Sequence, residues 1–449
     1  MFGTSFIKSV FILIFLISTS WSQSEIPWGV KKFAFFETKA NAVSERSHDP
    51  INISHYEIPL SKLESDIADR VNPKIKDSLI FEKNGEKFVR WIIHPEDSVH
   101  HLTVKEYLES KGIAVVVKKH FIGYLQASRS LVLHDPVSKV SFSLKTSTDN
   151  TGGKWVDKKQ EWSDAKEIRK IMDFVNDIYE KGPIKLAGVM MDEPFAIGIE
   201  DIDMGFVVRS LDGIDNNEFT YLPVFSAVHG EYGKKIASIN GFDNPIEFLT
   251  KYLSAPLGKA LAEIAATTGL TYDSPHGQNF LIELDKDLKV TGRVVLRDLG
   301  DVFFNTKIYE KTRLAMNITK PLGSKTWPPS VAFSPVHGNE VPNWMSDMEH
   351  TKVVNVMLEN FRSRFGELTG VGPSLFLVPD EVDYMRSYGQ LYWNSDNKDD
   401  VLSTFLSAVE CFSGVKKTKE GLDCSELLAQ LNIFKTKSCS NSLGNVIGL

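Results

Sequence analysis

The chain has 449 residues, 42% hydrophobic and 24% charged, enough to bury a large core and fill two or three domains or lobes. With 11% aromatic residues and no low-complexity tract, it excludes a disordered or fibrous protein. A formal net charge of −7 argues against the basic surface that broad nucleic-acid binding requires, so no nucleic-acid partner is expected.

Residues 1–22 read as a secretory signal peptide. Lys8 gives a positive start, residues 9–17 form an apolar stretch, and Ser20 and Ser22 precede a cut at Gln23. Export to the periplasm or the medium is the expectation. The apolar stretch is too short for a stable membrane span, and no later segment has 18 consecutive apolar residues. Residues 23–85 carry few strong signals and read as an amino-terminal arm with short helices. Residues 87–93 form a strand that ends at His94-Pro95-Glu96-Asp97, where Pro95 biases His94 away from the α region. A helix over 104–110 and a strand over 113–117 follow, within a lobe taken as 86–190.

Ser128, Arg129 and Ser130 precede a short strand over 131–133. Residues 139–145 then alternate strictly, with Val140, Phe142 and Leu144 on one face. Lys139, Ser141, Ser143 and Lys145 take the other, and Thr146-Ser147-Thr148 continues the hydroxyl series. Two readings of that face stand open, a solvated surface or the lining of a cleft for an anionic ligand such as a nucleotide phosphate. Residues 164–181 form a helix with Asp164 and Glu167 as capping box and an apolar stripe from Ile168 to Tyr179. Strands over 186–190, 205–209 and 221–224 and helices over 245–253 and 256–268 lead to the most informative stretch.

That stretch is Pro275-His276-Gly277-Gln278-Asn279, followed by strands over 280–284 and 293–297 with turn chemistry between them. An antiparallel hairpin sets the start of its first strand beside the end of its second. His276, Gln278 and Asn279 are thereby placed next to Arg297 and Asp298. Asn279 and Asp298 offer hard oxygen ligands of the kind Mg²⁺ takes beside nucleotide phosphates. A polar loop flanking an ordinary hairpin is the plain alternative. The lobe so defined runs over 191–342 and ends in a Pro-rich connection. Ser346 and Glu349 then cap a long helix carrying Val353, Met357, Phe361 and Phe365, and amphipathic patterns over 399–412 and 425–432 make 343–449 a helical lobe. Cys411, Cys424 and Cys439 fit a tail disulfide between two of the three better than a zinc site, with the pairing open.

Four blocks together resemble the IucA/IucC family, the NRPS-independent siderophore synthetases. They are His94-Pro95 after a strand; Ser128-Arg129-Ser130 with Lys139 and Thr146-Ser147; His276-Gly277-Gln278-Asn279; and Arg297-Asp298. The last two are the specific ones. The resemblance implies an α+β, multi-lobed architecture of fingers, palm and helical lobe around a central cleft, with mixed, mostly antiparallel sheets. It also implies a role in siderophore biosynthesis and iron acquisition. The activity would be a ligase that activates a carboxylic acid, commonly citrate, with ATP and Mg²⁺ for capture by an amine or hydroxyl. A homodimer is compatible with it.

Carried over residue by residue, the resemblance gives Arg129 and Lys139 the ATP phosphates, with Ser128 beside them, and counts His276 with these two as catalytic. Thr146, Ser147, His276 and Lys145 would bind the carboxylate. Gln278 would contact nucleotide or substrate, and Asn279 with Asp298 would take Mg²⁺. The sequence departs from the family pattern at Ala127, where a Ser is common, and at Asn150, where an Arg is. A non-catalytic exported module binding a carboxylate or a siderophore fits those departures and the export signal. A secreted kinase-like phosphotransferase is a third reading, because Asp298-Leu299-Gly300 after the hairpin mimics a kinase metal-binding loop. It lacks a Gly-rich loop and a catalytic-loop base.

Overall fold

The computed structural model describes residues 26–39, 49–126, 128–151, 157–181, 190–229, 231–272, 277–298, 300, 302–304 and 344–370. The signal sequence, His276, the three cysteines, the Pro-rich connection and the helices expected over 399–412 and 425–432 lie outside them. The chain divides into two compact units: Met1–Asp173, Met191–Leu222 and Glu283–Thr291 form unit 1, while Phe174–Met190, Pro223–Ile282 and Gly292–Leu449 form unit 2. Helices and mostly antiparallel sheets together make the protein α+β.

Unit 1 is built on a nine-stranded sheet in the order β2-β8-β9-β7-β6-β5-β1-β4-β3. The strands are β1 (Ile51–Pro59), β2 (Glu64–Ile67), β3 (Ile80–Lys83), β4 (Glu86–Ile92), β5 (Val117–Leu125), β6 (Ser130–His134), β7 (Ser141–Lys145), β8 (Phe195–Ile199) and β9 (Met204–Ser210). Each neighbouring pair is antiparallel. One face carries the main core, in which Val140, Phe142 and Leu144 meet Ile75 and Leu79 of helix α2 (Pro73–Leu79) and Val104 and Leu108 of helix α3 (His100–Ser110). On the other, Trp162, Ala165 and Ile168 of helix α4 (Trp162–Lys181) pack on Ala196 and Val207. Gly198 is required there, since a Cβ would come within 2.3 Å of the Trp162 ring.

Several expectations are corrected. Residues 51–59 are no arm: β1 pairs with both β4 and β5 inside the sheet, and helix α1 (Trp28–Lys39) precedes it. The apolar run 113–117 is not a strand, because the register that pairs with β1 starts only at Val117. Lys139 is not on β7. It lies exposed in the β6–β7 turn with φ +59°, its N–H donating to the Asp135 carbonyl at 2.9 Å. The alternation survives in β7 itself, yet both of its faces are buried, Lys145 included. Helix α4 starts two residues before the Asp164 cap, and the carboxylate of Asp203 accepts from the Ser163 N–H at 2.8 Å and its hydroxyl at 3.0 Å. Burial opposes the charge on Asp203, but those two hydrogen bonds hold its carboxyl below the usual range.

Three histidines lie on adjacent strands of this sheet. His55 and His120 meet edge to face at 6.4 Å, His120 contacts Asp135 at 3.1 Å, and His134 Nδ1 bonds Ser141 Oγ at 2.9 Å. Burial lowers His55 to about 4, helped by Arg90, and burial lowers His134 as well. An unfolded imidazole takes its proton near 6.5, so between pH 6.5 and 4 the unfolded state binds more protons and stability falls as pH falls. The loss from His55 across that window is about 3 kcal/mol. Asp135, held low against its own burial by the His120 and Ser78 hydrogen bonds, loses its contribution only at still lower pH. Chemical denaturation at pH 7 and 4.5 is expected to show this loss and His55→Gln to reduce it; an unchanged slope in the variant would contradict the assignment.

Unit 2 contains the helices α5 (Val224–His229), α6 (Glu231–Ile239), α7 (Pro245–Leu249), α8 (Ala255–Thr268) and α9 (Asp347–Thr369). The helix expected over 245–253 is interrupted: α7 passes into a π-helical turn, Thr250–Ser254, that runs on into α8. Helices α8 and α9 approach so closely that a Cβ on Gly258 would lie 2.1 Å from the Met357 carbonyl, and Arg364 bonds Glu263 at 2.7 Å. The Ser346–Glu349 capping box stands as read, and Gly370 ends α9 with φ +66°. Strand β10 (Phe219–Pro223) leads into α5, and the short strands β11 (Leu270–Tyr272) and β14 (Val302–Phe304) pair antiparallel.

Candidate functional site

Strand β4 stops at Ile92 and the chain turns at His94-Pro95, with the Asp97 N–H donating to the His94 carbonyl at 3.0 Å and the Glu96 N–H to His94 Nδ1 at 3.2 Å. The turn delivers Asp97 to the start of α3. There its Oδ1 accepts from the His100 N–H at 3.2 Å and its Oδ2 from the His101 N–H at 2.7 Å. These are donors that a helix start leaves without intrahelical partners. Oδ2 also lies 3.0 Å from His101 Nδ1, and Oδ1 accepts from the Asp149 N–H at 3.2 Å. One buried carboxylate thus ties the helix start to the loop that follows β7. Ser98 reinforces the tie with two hydrogen bonds that hold the Asp149 carboxyl below its ordinary range.

This loop carries Thr146 and Ser147. Both line a small recess, open to solvent, together with His94, Asp97, His100 and His101 and beside apolar Trp91 and Met204. Thr146 is 4% exposed, and its hydroxyl makes no hydrogen bond to any described residue. Ser147 Oγ accepts from the Gln160 N–H at 2.7 Å. His100 Nε2 meets Asp157 Oδ1 at 2.7 Å. The recess therefore combines imidazoles and hydroxyls, groups that can donate to a carboxylate, with a carboxylate of its own that holds the helix start.

Two blocks singled out in the sequence, His94-Pro95 and Thr146-Ser147, meet in this recess although 52 positions separate His94 from Thr146. Arg129 belongs to the same end of the sheet. The β6–β7 register sets Ser130 opposite Lys145, the Thr146 N–H donates to the Arg129 carbonyl at 3.2 Å, and Arg129 Nη1 donates to the Lys159 carbonyl. Ser128 holds φ +63° just before β6. Lys139 is not brought to this end. The hairpin sets it at the far end, roughly 20 Å along the strand from Lys145 at about 3.3 Å per residue. Arg129 and Lys139 hence do not form the joint cationic cluster the sequence suggested.

The hairpin forms as expected, from β12 (Phe280–Asp285) and β13 (Val290–Leu296), with its open end in unit 2. At its open end the Arg297 N–H donates to the Asn279 carbonyl at 3.0 Å, and Arg297 Nε donates to the Gln278 carbonyl at 2.8 Å. Asn279 and Arg297 are buried, while Gln278 and Asp298 are half-buried, Asp298 with φ +65°. Gln278, Asn279, Arg297 and Asp298 are thereby gathered at one sheet end. No group of three or more His, Cys, Asp or Glu among the described residues is placed to hold a metal ion. A Mg²⁺ site made of one carboxylate, one amide, phosphates and water needs no such group.

Sequence reasoning missed Asp97, His100 and His101. The signal was present: Asp97 and Ser98 stand where an N-cap would begin a helix before residue 104. No helix among the described residues is long and apolar enough to cross a membrane.

No protein-family model matches the chain, and no curated protein does. Solved structures similar to it include the aerobactin synthetase IucC from a hypervirulent pathotype of Klebsiella pneumoniae, 12% identical over 80% of this chain and 66% of that one, with a TM-score of 0.46. The petrobactin biosynthesis protein AsbB from Bacillus anthracis str. Sterne is 12% identical over 88% and 73%, with a TM-score of 0.47. The ATP-bound aerobactin synthetase IucA from the same Klebsiella pathotype is 11% identical over 79% and 64%, with a TM-score of 0.43. The chain thus spans just under two thirds of the length of the IucC structure.

Proposed function

We propose that the protein is a carboxylate-activating ligase of the siderophore-synthetase kind, joining a citrate-like acid to an amine or hydroxyl. The observation that carries this reading is the recess, where two motif blocks remote in sequence supply His94, Thr146 and Ser147 to one small pocket. In it the Thr146 and Ser147 hydroxyls donate to the carboxylate, and Arg129 and Lys145, at the same strand end, offset the charge that two anions bring together. The family resemblance separately assigns Gln278 to the nucleotide and Asn279 with Asp298 to Mg²⁺, and His276 precedes them in the sequence. ATP with Mg²⁺ would supply the adenylyl group that activates the carboxylate as a mixed anhydride, with pyrophosphate as the leaving group. The protein's own part is to bind, orient and neutralise, and no covalent nucleophile is required of it.

Export directed by residues 1–22 is part of the same reading and requires the nucleotide to be present outside the cytosol. The test is pyrophosphate release that depends on citrate, ATP and Mg²⁺ together. Citrate binding that needs no nucleotide, without pyrophosphate release, would instead identify a non-catalytic carboxylate-binding module.

A further inference from the structure

We propose that His101, oriented by Asp97, is the general base that deprotonates the incoming amine or hydroxyl, an inference that rests on the ligase reading above. Three imidazoles line the recess, and their surroundings differ. His94 is 1% exposed and its Nδ1 accepts the Glu96 N–H. His100 directs Nε2 at Asp157. The His101 side chain is 23% exposed, and its Nε2 makes no hydrogen bond to any described residue.

The tautomer follows from the partner. An ionised carboxylate only accepts, so Asp97 Oδ2, 3.0 Å from Nδ1, places the ring proton on Nδ1 and the lone pair on Nε2. Asp97 is itself fixed by three backbone N–H groups, from His100, His101 and Asp149. A base held by a carboxylate that is in turn held by the backbone is the arrangement that activates nucleophiles in unrelated enzymes. The Tyr56 hydroxyl donates to the His101 carbonyl at 3.3 Å and fixes the backbone at the same point. Of the charged and titratable groups, Asp97 contacts the ring, His94 and His100 line the same recess, and Asp149 and Asp157 bond Asp97 and His100 in turn.

His101 Nε2 takes the proton that exposes the lone pair of the ammonium or hydroxyl. That nitrogen or oxygen bonds to the carbonyl carbon of the activated carboxylate, the bond from that carbon to the AMP oxygen breaks, and AMP leaves as the phosphate anion. For an amine the second N–H proton is released to solvent. Asp97 takes up no proton. It is a positioning residue that holds the imidazole and stabilises its charged form. A base in this role contributes about 10²- to 10⁴-fold.

The experiment compares two nucleophiles on the full chain with citrate and Mg·ATP. 1,4-Diaminobutane is an ammonium near pH 7 and must lose one proton before it can attack, whereas hydroxylamine is already neutral and attacks without that prior deprotonation. His101→Asn keeps a donor toward Asp97 and removes Nε2. It is expected to lower amide formation at least 100-fold while hydroxamate formation falls less than tenfold, and Asp97→Asn is expected to show the same selective loss. Equal losses with both nucleophiles, an unchanged amide rate, or wild-type protein that forms hydroxamate but no amide would each overturn the assignment. Wild-type protein that forms no hydroxamate would overturn the ligase reading and this inference with it.

Discussion

Replacing Arg209 by methionine is expected to lower the stability of the protein by about 3–5 kcal/mol, the cost of leaving a buried charge without its partner. Arg209 Nε lies 2.5 Å from Glu193 Oε1, with the two side chains 4% and 0% exposed. Arg209 sits on β9 directly opposite Ser143 of β7, the strand that leads into the recess loop. The adjacent Arg169, itself fully buried, donates to the Glu193 carbonyl at 3.0 Å and to Asp173 at 2.7 Å. The loss therefore falls on the sheet that supports the site. Equilibrium denaturation measures it. The double variant Arg209→Met, Glu193→Leu is expected to recover most of the stability, because no charge is then stranded. A single variant within 1 kcal/mol of wild type would contradict the buried pair.

Thr146→Val is expected to weaken citrate binding by about 10- to 100-fold, since a hydrogen bond to a charged group contributes about 1.5–3 kcal/mol. The substitution is close to isosteric, and the hydroxyl it removes has no hydrogen-bond partner among the described residues, so fold stability should barely change. Calorimetric titration checks both statements. Undiminished citrate affinity in the variant would remove the recess from the binding site.

The hairpin was legible in the sequence because two signals agreed, alternation at period two and turn residues between the strands, and its ends meet through Arg297 and Asn279 as that pattern requires. The long helix with its Ser346–Glu349 box was legible for the same kind of reason. Lys139 was not. Alternation extends through Val140 toward Lys139, and only the positive φ in the turn, a product of the Asp135 contact, shows where the strand begins. β1 was hidden for a different reason. From His55 to Ile58 it is buried on both faces, with His55 and Glu57 among the buried positions, so the polar residues there mark no solvent face. In β5, Lys118, Lys119 and His120 interrupt the apolar pattern, and pairing with β1 rather than composition decides the register. At the site, Thr146 and Ser147 could be singled out by type. That Asp97 ties their loop to the start of α3 depends on contacts across 52 residues.

The ligase reading is tested most directly by pyrophosphate release from purified protein supplied with citrate, ATP and Mg²⁺. The reading requires release only when all three are present and its loss when any one is withheld. Release that ignores citrate, or none with the complete mixture, would contradict it.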